Sequence, residues 1–110
     1  MTVKGLPELK EQFAKLAELA EGNKEAIRAG VDVIRDAAKD IVPVKTGFLR
    51  DSITSTDEGI EVTAPYAFAV EYGTSRKMAQ PYIRPAIDTH KREIVDAVEA
   101  VLQQEVNKIV

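Results

Sequence analysis

Apolar or small residues recur every seven positions at Leu6, Phe13, Ala20, Ile27, Ile34 and Ile41, and Leu9, Leu16, Val31 and Ala38 split the intervals into threes and fours. This is the rhythm of a helix with one buried face. It stops at Pro43, which has no N–H to continue a helical ladder. Gly22-Asn23, in the middle of the run, reads locally as a C-cap followed by an N-cap, and so as a helical hairpin. The stripe nevertheless keeps its phase across that pair, which a chain reversal does not require. The phase favours one long helix from Pro7, at a first helical position, to about Val42, with any bend at Gly22. At 1.5 Å per residue it would be roughly 54 Å long. Part of its stripe would then need another chain or stay wet.

Beyond Pro43 the period changes. Segments 52–56 and 60–64 flank Asp57-Glu58-Gly59, and Ile60, Val62 and Ala64 alternate with Glu61 and Thr63, the pattern of a β-hairpin. Pro65 ends the second strand. Segment 66–72 is too short for periodicity to choose between strand and helical turn, and 73–79 reads as a mobile loop. Pro85 then opens a final helix with Ile87, Ile94, Val98, Val101, Leu102, Val106 and Ile109 along one side. The expectation is an α+β fold in one domain spanning 1–110: a long helix over 1–42, hairpin and loops over 43–84, and a C-terminal helix over 85–110 packed on a small antiparallel sheet.

At 110 residues the chain supports one core. Fourteen alanines, each burying little area, make that core modest, so its stability leans toward a partner or self-association. A net charge of -3 exerts no overall pull on nucleic acid or anionic membrane, and no apolar run approaches a membrane span. The absence of cysteine removes disulfides, thiolate nucleophiles and Cys-ligated zinc together. The single histidine, His90, falls on the apolar side of the last helix, where a packed, hydrogen-bonded ring is expected. No phosphate-binding glycine loop or nucleophile elbow is present, and the reading is non-enzymatic, with no cofactor and no metal.

Four of the five prolines, all three tyrosines and two of the three phenylalanines lie between Val42 and Ala86. Three segments there carry a likeness to a known family: Pro43 with Thr46-Gly47, Leu49-Arg50 and Ser52-Ile53; Tyr66 with Val70-Glu71 and Gly73-Thr74; and Gln80-Pro81 with Arg84-Pro85-Ala86. In this order, between two helical flanks, they resemble the small siphophage and prophage tail components that act in head-to-tail joining or tail completion. Tyr82 stands where that family often has phenylalanine. The resemblance implies a structural virion protein at the tail or head–tail junction, made in the bacterial host cytoplasm. Its implied partners are its own copies in a hexameric ring, a head-connector protein and a tail-terminator protein, with non-specific contact to DNA in a channel and none to membrane.

The residues themselves suit docking. Thr46 is placed to cap a short turn through Gly47, Phe48 and Leu49, Gly73 to stop the segment before it, and Pro81 and Pro85 to stiffen entry into the last helix. The candidate assembly interface comprises Thr46, Gly47, Leu49, Arg50, Glu71, Gly73, Thr74, Arg76, Lys77, Tyr82 and Arg84, with Tyr82 the tyrosine assigned to contact. The alternative is a small nucleic-acid-binding domain using Lys45, Arg50, Arg76, Lys77, Arg84, Lys91 and Arg92, with Phe48 and Tyr82 among them.

Overall fold

The computed structural model describes residues 7–43, 47–57 and 59–109, so Leu6 at the head of the stripe and the expected Thr46 cap lie outside the described residues. The N-terminal stripe forms two helices, α1 (Pro7–Leu19) and α2 (Lys24–Ile41). The expected continuous helix is interrupted because Glu21 (φ 54°) and Gly22 (φ 74°) are both left-handed. The Gly22 N–H donates to the Ala17 carbonyl at 3.3 Å and the Glu21 N–H to that of Glu18 at 3.0 Å. These paired bonds satisfy the last carbonyls of α1 in a Schellman ending. Asn23 then caps α2, its side chain accepting from the Ala26 N–H at 3.0 Å.

The chain turns back on itself here. A Cβ added to Gly30 would lie 2.8 Å from Leu16 Cδ1, and Phe13 and Ile34 border the same apolar cleft. Gly30 is therefore a notch that lets α1 lie antiparallel against α2. Phe13, Leu16, Ala20, Val31 and Ile34 all enter one core. Phase is kept because both helices serve that core, and a count of residues cannot separate this case from a continued helix.

After α3 (Phe48–Asp51), strands β1 (Ile53–Ser55) and β2 (Ile60–Val62) pair antiparallel with Ile53 opposite Val62 and Ser55 opposite Ile60. The hairpin is as expected, with shorter strands. Ile53, Ile60 and Val62 are buried while Thr54 is exposed, so one face of the ribbon packs inward, largely on α2. Buried Ser52 joins α3 to the hairpin, its hydroxyl donating to the Leu49 carbonyl at 2.8 Å and accepting from the Ala64 N–H at 3.3 Å. At the hairpin turn, Asp57 reaches Arg28 of α2 at 3.3 Å.

Segment 66–72 resolves as a helix, α4 (Ala67–Tyr72). The C-terminal helix begins two residues before Pro85 and is divided into α5 (Ile83–Thr89) and α6 (Lys91–Ile109). Pro85 sits in the first turn, where its missing N–H has no ladder partner to lose. His90 marks the break, and its Nδ1 lies 3.1 Å from the Ala86 carbonyl and 2.8 Å from the Thr89 hydroxyl. The α+β class holds, with α2 as a spine flanked by the hairpin, α5, α6 and α1. No helix among the described residues is long and apolar enough to cross a membrane.

Candidate assembly surface

α4 has three working faces set by the four-residue spacing of a helix. Ala67 and Glu71 point inward, Phe68 and Tyr72 meet at a ring separation of 4.7 Å, and Tyr66, preceding the helix, shares with Val70 a face on an open groove. The inward face is polar at one point only. Glu71 is 0% exposed, and its Oε1 accepts the N–H groups of Tyr82 (2.8 Å) and Ile83 (2.9 Å). Its Oε2 accepts the N–H of Arg84 (3.2 Å) and the Arg84 Nε–H (2.8 Å). Helix α5 starts at Tyr82 with no side-chain cap of its own. Glu71 supplies that cap from 11 residues upstream and places a negative charge at a helix start, where it is favourable.

Arg84 completes the clamp. Its guanidinium bonds the Glu71 carbonyl as well as the carboxylate and lies 4.6 Å from the centre of the Tyr72 ring. Tyr82 is fully buried, and its hydroxyl donates to the Ala67 carbonyl at 3.2 Å. Burial, and secondarily the charge of Glu71, push the Tyr82 phenol well above the usual tyrosine range. The start of α5 is thereby locked to α4 at both ends of the smaller helix.

The segment between these helices is anchored too. Gly73 (φ 78°) donates to the Ala69 carbonyl at 2.7 Å, and a Cβ at that position would lie 2.7 Å from the Ala79 nitrogen. Thr74 N–H donates to Lys77 O at 2.9 Å, the Thr74 hydroxyl accepts from the N–H groups of Arg76 and Lys77, and Gln80 N–H returns to Val70 O at 2.8 Å. Within residues 73–79, expected as a mobile loop, these bonds tie the two ends together while the Arg76, Lys77 and Met78 side chains face outward. Beside them, against α3 and α4, is an open groove of about 580 Å³ bordered by Pro43, Leu49, Tyr66, Val70, Met78 and Gln80.

Gly47, Leu49, Thr74 and Lys77, all expected at the interface, converge on this groove. Arg50 and Arg76 are exposed nearby in sequence, and Gly73 turns the chain between α4 and the loop. Leu49, Glu71 and Tyr82 are buried, and Arg84 is engaged by Glu71, so these four hold the surface in place from beneath. Tyr82 and Arg84 are likewise removed from the basic, aromatic set that a nucleic-acid surface would use. The candidate interface omits the exposed apolar residues Phe48, Tyr66, Phe68 and Met78, the last 91% exposed. The Phe48 and Tyr66 rings lie 6.3 Å apart. Their signal was present in the short apolar segments themselves, in which helical spacing turns only one face inward.

A small α+β scaffold holding a stiff, partly apolar surface describes a structural interaction protein. The chain belongs to the HK97-gp10-like family of bacteriophage tail components, whose profile matches residues 7–73, more than half of its length. The matched region takes in the helical hairpin, the β-ribbon and α4, and ends at Gly73, before the Gln80-Pro81 segment. Comparison with curated proteins and with solved structures gave no match. As a phage tail component the chain is a structural protein of the virion.

Proposed function

We propose that this protein joins the head connector to the tail of a phage or prophage particle, as one member of a ring of about six copies. One observation carries the reading: apolar side chains that ordinarily seek burial stand exposed, Tyr66 and Met78 beside α4 and the loop anchored by Glu71 and Gly73, and Phe48 of α3 with its ring 6.3 Å from that of Tyr66. Surfaces held rigid before contact lose little conformational entropy on docking. In this reading the interface comprises Gly47, Thr74, Arg76 and Lys77 together with those exposed rings, while the cations of the loop meet acidic neighbours. Partners are the connector on one side and the tail terminator on the other, after synthesis in the host cytoplasm.

Deletion of the gene from its phage, followed by negative-stain imaging of the lysate, tests this directly. Full heads and separate tails are expected to accumulate, and addition of purified protein should restore joined particles. Intact infectious particles lacking the protein would sink the proposal.

A further inference from the structure

Two surfaces lie at opposite ends of the molecule. Val98 packs at Gly30, where a Cβ would approach it to 2.9 Å, whereas Lys91 and Ile94 sit beside Ile34, so α6 runs antiparallel to α2. Measured from that crossing, α6 continues to Ile109 while α2 reaches back only to Lys24. At 1.5 Å per residue α6 overshoots the start of α2 by roughly 7 Å. The overhang carries Val106 and Ile109, three apart on the helical side that Leu102 begins while still alongside α2. Leu102 is half-buried, and Ile109 is 86% exposed. The groove lies past the other end of α2, behind Pro43, roughly 30 Å away along the spine. No chain can place its own overhang in its own groove.

The ends are also opposite in charge. On the α1–α2 turn and the start of α2, Glu18, Glu21 and Glu25 outnumber Lys24, while on the last turns of α6 Glu105 lies 3.5 Å from Lys108; Lys77 borders the groove, and Arg50 and Arg76 are the chain neighbours of groove-bordering Leu49 and Lys77. An apolar stripe beside an acidic turn is thus complementary in charge and character to the basic-rimmed apolar groove of a second copy.

We infer that the groove receives the last turns of α6 from a neighbouring copy, with Val106 and Ile109 against Tyr66 and Met78 and Glu105 beside Lys77. The contact joins unlike surfaces. Each added copy leaves one groove and one overhang free, and the series closes into a ring where the rotation between copies allows it. This rests on the ring reading and names the surfaces that build the ring.

The chain lacks cysteine, so single thiols can be placed without background. Full-length Met78→Cys and Val106→Cys proteins are mixed and oxidised. The expected product is the mixed dimer, in excess over either like-with-like dimer, and the double variant should give a ladder of covalent oligomers. A Val106→Glu, Ile109→Glu variant should weaken self-association in sedimentation at least tenfold and leave the unfolding midpoint unchanged, since both side chains are exposed. An excess of like-with-like dimers, or no association up to about 1 mM, would overturn the inference. A ring visible in virions without the 78-to-106 link would leave the ring standing and remove this contact. The mixed dimer without a ring in virions would do the reverse.

Discussion

The Glu71 carboxylate takes three backbone N–H bonds and an ion pair in a site closed to water. Replacing it with alanine leaves the start of α5 without acceptors and Arg84 without its carboxylate, so Glu71→Ala should cost about 3–5 kcal/mol in urea unfolding. Glu71→Gln keeps one acceptor oxygen and most of the volume and should cost less, about 1–3 kcal/mol. Tyr82 answers to pH. Its phenol is held neutral by the fold, so the stability it contributes is complete below the ordinary tyrosine value of about 10 and is lost as pH climbs toward the raised folded value. Tyr82→Phe should flatten the alkaline decline in stability, and its loss of the bond to Ala67 should cost about 1 kcal/mol at neutral pH. Neither role was readable locally, and both residues were expected at a surface. One sign did exist: Gln80-Pro81-Tyr82 offers α5 none of the side chains that usually cap a helix, so the acceptor had to come from elsewhere.

At the scale of elements, the turn between α1 and α2 places its less suitable residue in the left-handed position that opens the reversal. Glu21 has a side chain at φ 54° where glycine is the usual occupant. Glu21→Gly should raise stability by about 0.5–1 kcal/mol, seen as a gain of a few degrees in the thermal midpoint. If the two helices were continuous in solution, the same change would instead destabilise, because glycine weakens a helix interior by about 1 kcal/mol. The sign of one measurement thus separates the two folds. The strands were legible because alternation at Ile60, Val62 and Ala64 is unambiguous, and the helical faces were legible because their spacings are regular. The break before α2 had a local sign in Gly22-Asn23 that the unbroken phase of the stripe outweighed, and the break at His90 had none, since each depends on which core the following helix must reach.

For the whole molecule, surface charge can be altered without touching the scaffold. Arg76 and Lys77 contribute backbone N–H groups to the Thr74 hydroxyl while their side chains face solvent. An Arg76→Glu, Lys77→Glu double change should therefore shift stability by less than about 0.5 kcal/mol, and complementation with this variant should yield markedly fewer joined particles. Unimpaired joining would show that the loop is not a contact. By itself the sequence determined the α+β class, the inward face of each long helix and the likeness to phage tail components, because periodicity and short motifs are local properties of a chain. Only the tertiary structure decided that α1 folds back, that Glu71 and Tyr82 are buried and that Tyr66 and Met78 are left outside. The cost of burying a polar group is set by the partners it meets, and here those partners lie 11 and 15 residues away.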